Sequence, residues 1–327
     1  MSTLNLIGNS GIQFVDLQAN LGDGSPAMKT RESVCELEYE DRVELVFAEM
    51  AEDGTHYIDA ASGDELLDPF TGQRIKEDRI ETVSVRRALE CFEGFWLPVP
   101  YFRYSPSRGN SDFEEGPLTW ARLFFQPLRH PIQGATHSVV IAFDTTYEEQ
   151  KSDRYATALR QDLLQSSFGF ATDLEARMAF LAEPWVMQWA EVCYEQRKAR
   201  LGRILHQEQR LPHLALYATL LRILEKGVEF PWVRLHDDEQ HIDVDLVIDV
   251  GNSRTCGILV QSQDGEPAHL NRNASRLQIR DLSTPDVVYE DAFPMRVEFI
   301  DGAFGPEEAT SLSDRPLAFD WPSPVRI

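Results

Sequence analysis

The chain has 327 residues, of which 43% are hydrophobic, 10% aromatic and 26% charged; that is the balance of a folded protein with room for two or three domains, and it excludes a disordered tail. Fifty-four acidic against 31 basic residues give a net charge of −23, which argues against a nucleic-acid partner, because affinity for a polyanion comes from Lys and Arg neutralising phosphates. No stretch approaches the roughly 18 apolar residues that span a bilayer, and the N-terminus lacks the basic and apolar blocks of a secretory signal. The expectation is a cytoplasmic protein with no membrane insertion, in which Cys35, Cys91, Cys193 and Cys256, scattered without metal spacing, are free thiols.

The first third carries strand signals. Gly11 to Leu17 is a short apolar run, Val43, Leu45 and Phe47 alternate with polar neighbours, and Tyr57 to Ala60 follows the Asp53-Gly54 turn, as in an antiparallel meander. Thr82 to Phe92 reads as a short helix, while Pro98 and Pro100 break Phe95 to Tyr104 into extended pieces. Ser105 to Pro117 is loop chemistry, followed by the aromatic run Trp120 to Phe125 and a strand over Ser138 to Phe143.

From Tyr155 the spacing turns helical, with Leu159, Leu163 and Leu164 on one face. Asp173 caps a segment holding Ala176, Phe180 and Leu181; Pro184 then opens a longer helix with Trp185, Trp189 and Val192 or Cys193 on one stripe. A third helix after Pro212 carries Tyr217, Leu220, Leu221 and Leu224. The tryptophans read as packing between helices and not as a ligand wall. His206, His213, His236 and His241 do not read as a metal set, since no two share a helical face.

Chemistry concentrates at Asp245-Leu-Val-Ile-Asp-Val-Gly-Asn-Ser-Arg-Thr-Cys-Gly-Ile-Leu-Val-Gln261, a strand, a glycine turn and a second strand. Gly251 allows close backbone approach and turn dihedrals of positive φ; Asn252, Ser253, Arg254 and Thr255 supply N–H and hydroxyl donors, and Asp249 is placed to hold a hydrated magnesium ion. An ordinary tight β-hairpin uses the same letters. On the second strand Cys256 reads as a small buried hydrophobe. No Walker loop, Gly-x-Ser-x-Gly elbow or Cys-His nucleophile pair occurs, so no catalytic residue is assigned.

This turn resembles the first phosphate loop of the actin, Hsp70 and sugar-kinase ATPase superfamily, and type III pantothenate kinases carry a similar Ile-Asp-Val-Gly-Asn turn. The resemblance implies Mg-ATP as cofactor, with Asp249 at the metal and the 251–255 turn at the phosphates. The order of parts resembles the N-terminal portion of the SrfB-like virulence-factor proteins of Gram-negative bacteria. The residues that carry this likeness are Val83 to Phe102 with Trp96-Leu-Pro-Val-Pro100, Ala142-Phe-Asp-Thr145, the hairpin, and Phe319-Asp-Trp-Pro322. It implies a longer bacterial protein with an actin-like core, and supplies no substrate.

The expected fold is mixed α+β: a β-rich domain over 1–148, a helical segment over 149–230, and over 240–327 the incomplete start of an actin-like, ribonuclease H-like α/β domain. The expected function is that of an N-terminal fragment of a virulence-associated, nucleotide-binding protein, inactive alone because phosphoryl transfer needs groups on both sides of the phosphate. The rival is a non-enzymatic scaffold with a degenerate phosphate loop that binds as yet unidentified protein partners. A small-molecule kinase of pantothenate type fits less well, since those enzymes begin at the hairpin.

Overall fold

The computed structural model describes residues 3–21, 31–105, 113, 116–132, 134–148, 157–163, 165–201, 212–237, 244–251, 254–261, 274–282, 284–290 and 292–294. The chain divides into two units, one up to Leu235 and one that begins at His236. Together they are mixed α+β with strands predominant.

The first unit opens with β1 (Thr3–Ile7) and β2 (Ile12–Ala19), then β3 (Arg31–Glu38), β4 (Val43–Met50) and β5 (Tyr57–Asp59). These last three pair antiparallel in sequence order, as the alternation of Val43, Leu45 and Phe47 predicts. Next come β6 (Ile80–Ser84) and α1 (Val85–Phe92). The expected helix over Thr82 to Phe92 therefore starts three residues late: Thr82, Val83 and Ser84 pair with Ser33, Glu32 and Arg31 of β3, and the Ser84 hydroxyl then caps the helix by accepting from the Arg87 N–H.

Beyond them lie β7 (Leu97–Pro98), β8 (Tyr101–Tyr104), β9 (Ala121–Ile132), β10 (Ala135–Asp144), β11 (Tyr147–Glu148), β12 (Ala158–Leu159) and β13 (Ser167–Phe170). Three helices follow, α2 (Leu174–Leu181), α3 (Pro184–Leu201) and α4 (Pro212–Gly227), and β14 (Trp232–His236) closes the series. Two four-stranded sheets, β1-β14-β13-β8 and β2-β10-β9-β7, stand beside the sheet β5-β4-β3-β6.

The helix expected from Tyr155 does not form in the described residues. Ala158 and Leu159 make a short parallel pairing with β11, and Asp162 is held by tertiary bonds: it takes three contacts of 2.7–2.9 Å from the Arg103 guanidinium, one from Ser166 Oγ at 2.8 Å and one from the Leu159 N–H at 3.0 Å. Those bonds outweigh a weak local propensity. The other helices start where the sequence places them, α2 behind Asp173, whose carboxylate accepts from the Glu175 N–H at 3.1 Å, and α3 at Pro184.

One hydrophobic cluster joins the strands before residue 148 to α1, α2, α3 and α4. Its largest members bury their rings while their polar tips find carbonyls: Trp120 Nε1 donates to Tyr101 O at 2.9 Å, Trp189 Nε1 to Trp96 O at 3.0 Å, Tyr101 OH to Pro231 O at 3.1 Å, and Tyr217 OH to Pro98 O. Trp185 and Trp189 are core residues as expected, and both lie against the buried Arg122 guanidinium, 5.2 and 5.8 Å from the ring centroids. Cys193, not Val192, completes their stripe.

In the second unit, β15 (Val244–Val250), β16 (Arg254–Gln261) and β17 (Ala274–Arg276) form an antiparallel sheet in that order. A two-stranded pair, β18 (Ile279–Arg280) and β19 (Val288–Tyr289), follows, and β20 (Phe293–Pro294) returns to Arg254 and Thr255 of β16. Residues 295–327, which include the Phe319 to Pro322 segment, lie outside the described residues. Among the described residues no helix is long and apolar enough to cross a membrane.

Candidate functional site

The hairpin forms because Leu246 to Val250 and Cys256 to Val260 are apolar, largely β-branched runs separated by a short small-residue turn. Its rungs are Val244↔Gln261, Asp245↔Val260, Leu246↔Leu259, Val247↔Ile258, Ile248↔Gly257, Asp249↔Cys256 and Val250↔Thr255. The Gly251 N–H donates to the Arg254 carbonyl at 2.9 Å and closes the ladder before residues 252 and 253.

That bond changes two expectations for Gly251. A Cβ placed on Gly251 would stand 2.6 Å from the Arg254 carbonyl oxygen, so glycine is required by the turn's own backbone. Its φ is not in the positive range that Gly54 and Gly72 occupy. The close approach is therefore between the two strands, and the Gly251 N–H is committed to Arg254 and not available to a phosphate.

Asp249 is exposed at the end of β15, and among the described residues no basic side chain pairs with it. Arg254 is also exposed. Thr255 differs: it is 5% exposed, and its Oγ1 has no hydrogen-bond partner among the described residues. An unpaired buried hydroxyl costs about 1–3 kcal/mol, which a ligand oxygen or water recovers. Asn252 and Ser253 lie outside the described residues.

Cross-strand partners share a face of the sheet, and successive residues alternate. Asp249 therefore stands with Cys256, and Thr255 stands with Val250 on the opposite face. Only at the open end of the turn can one ligand meet both. Cys256 was expected to be buried, yet it is exposed, directly opposite Asp249; counting the rungs back from the turn would have placed it there.

Of the four histidines set aside in the sequence, His213 and His236 are among the described residues, and His236 ends β14. His213 is buried beside the Tyr194 ring, and burial pushes its pKa down; His206 and His241 lie outside the described residues. Among the described residues no three His, Cys, Asp or Glu side chains gather as a metal cage.

No curated protein and no solved structure matches the chain. The family model described as virulence factor SrfB matches residues 1–327, every position of the sequence. The chain belongs to the SrfB virulence factor family.

Proposed function

We propose that the β15–β16 hairpin is the first phosphate loop of an actin- or Hsp70-like nucleotide-binding core in a virulence-associated protein. Asp249 orients water on magnesium, while Thr255 Oγ1 and the amides of the 252–255 turn meet the phosphates of Mg-ATP. The observation that carries this reading is Thr255, whose buried hydroxyl has no described partner, next to a turn that ends in an exposed carboxylate. Magnesium suits a site with a single carboxylate, because it keeps most of its water and takes its remaining ligands from phosphate.

Residues 256–327 contain no second Asp-x-Gly turn. On this reading residues 1–327 hold one side of the clamp, a second lobe of the protein supplies the other, and the first side alone catalyses nothing. Residues 1–327 should then bind Mg-ATP with Kd on the order of 1 mM, near −4 kcal/mol.

Amide NMR during a titration of this chain with Mg-ATP tests the site. Shifts confined to Asp249, Gly251 and Thr255, with the magnesium dependence lost in Asp249→Ala, are the expected result. Unmoved spectra at roughly ten times that Kd would overturn it.

The rival, an interaction module with a degenerate loop, is favoured by the committed Gly251 N–H and by the placement of Asp249 and Thr255 on opposite faces. Wild-type binding that Asp249→Ala leaves unchanged would count for it.

A further inference from the structure

Arg254 stands on the same face of the hairpin as Asp249. The bond from the Gly251 N–H to the Arg254 carbonyl makes these two residues partners one rung beyond Val250↔Thr255, and side chains return to a face at every second residue. Asp249 and Cys256 therefore form one row of this face, Gly251 and Arg254 the next, and Thr255 belongs to the other side. Asp249, Arg254 and Cys256 are all exposed, and Gly251 contributes no side chain, so the corner between carboxylate and guanidinium is open.

Diagonal neighbours across a strand pair stand about 7–8 Å apart, within reach of a long side chain, and opposite charges so placed attract. Here they do not pair: among the described residues Arg254 has no carboxylate partner, and Asp249 has no basic one. Nor does Arg254 serve to blunt a sheet edge, because β16 has β15 on one side and β20 on the other at that residue. Arg276, farther along the same face on the row of Val247 and Ile258, already has an interaction partner.

We propose that the Arg254 guanidinium binds a phosphate oxygen of the nucleotide whose magnesium Asp249 orients, so that the phosphate chain arrives over the Asp249 face of the hairpin. This role rests on the nucleotide reading above and adds to it a side chain and a direction of approach. A planar guanidinium keeps its charge at any physiological pH and matches the geometry of phosphate oxygens. Electrostatics calls for it: a chain of net charge −23 repels a polyphosphate, and the Asp249 carboxylate adds to that repulsion until metal neutralises it. Magnesium takes phosphate oxygens among its ligands, so metal and guanidinium hold neighbouring parts of one phosphate chain. The two residues then differ in their dependence on the metal. Arg254 attracts phosphate with or without magnesium, whereas Asp249 helps only through it.

NMR titration of residues 1–327 with ATP, once with magnesium and once with a chelator, separates the two roles. The Arg254 Nε–Hε signal, identified by its absence in Arg254→Lys, should move in both titrations. Arg254→Gln should weaken ATP about fivefold in both, the size expected of an exposed ion pair, and Arg254→Lys should regain part of the loss. Asp249→Ala should weaken ATP only when magnesium is present. Because Arg254 is exposed, its variants should keep the wild-type amide spectrum without ligand. Arg254→Gln that binds as tightly as wild type, or that loses affinity only with magnesium, overturns the role of Arg254 and leaves the nucleotide reading standing. Wild-type spectra unmoved by ATP overturn both.

Discussion

Strands β10 and β15 are written in similar letters and live in opposite surroundings. Val139, Val140, Ile141, Ala142 and Phe143 of β10 are buried, with β2 on one edge and β9 on the other. Leu246, Val247 and Ile248 of β15 are half exposed, with β16 on one edge and no described strand on the other. A β-branched apolar run thus specifies a strand, while its neighbours decide whether it is core.

Substitutions should separate the two strands' surroundings sharply. Trp189→Ala removes a buried ring that packs in the main cluster, stacks on Arg122 and donates to Trp96 O; it should cost the first unit about 3–5 kcal/mol in urea unfolding followed by tryptophan fluorescence. Val247→Ala removes exposed surface and should stay within about 0.5 kcal/mol. Comparable losses would mean that β15 is covered in solution.

A smaller contrast lies in two strand glycines. A Cβ on Gly169 would stand 2.5 Å from the Trp232 ring, whereas one on Gly257 would meet the end of Leu277, Cδ2, at 2.8 Å. Gly169→Ala should cost about 1–3 kcal/mol because a large ring must shift. Gly257→Ala should cost less, since a leucine terminus moves readily. Thermal unfolding of the two variants ranks them, and the reverse order would contradict the packing described.

About 1 kcal/mol is at stake at Asp173, whose carboxylate caps α2; Asp173→Ala measured in the same urea assay should show it.

Acid should produce the mildest effect, and in the first unit. Burial pushes the pKa of His137 and of His213 below the ordinary imidazole value near 6.5. The unfolded chain then takes up protons first as pH falls, so this stability is present above about pH 6.5 and is lost on acidification toward the depressed folded values. Burial raises the pKa of Asp144 and Glu93 and acts in the opposite direction, so the histidine contribution is read as a difference: the urea midpoint of His213→Gln should lose less between pH 7.5 and 5.5 than that of the wild type. A larger loss in His213→Gln would refute the sign.

Local signals in the sequence were enough for the capped helices, the meander and the β15–β16 hairpin: Asp173, Pro184, the alternation at Val43, Leu45 and Phe47, and Gly251 all act within a few residues of themselves. The misses are non-local. Leu159 and Leu163 have helical spacing, but Asp162 between them is bound to Arg103, 59 residues away. Arg122 carried no signal as a buried cation, because its partners Trp185 and Trp189 come from a distant helix. At the candidate site, Asp249 and Thr255 were legible as donor and ligand types; their placement on opposite faces follows only from the register.

Burial also divides the cysteines. Cys35, Cys91 and Cys193 are enclosed, and burial pushes the first thiol up to about 11, the second to about 12 and the third well above its ordinary value, which leaves almost no thiolate at neutral pH. Cys256 is open, on the rung of Asp249. A maleimide dye added to the unmodified protein should therefore label one position, giving the hairpin a native fluorescent reporter while the three silent thiols react only as the first unit unfolds.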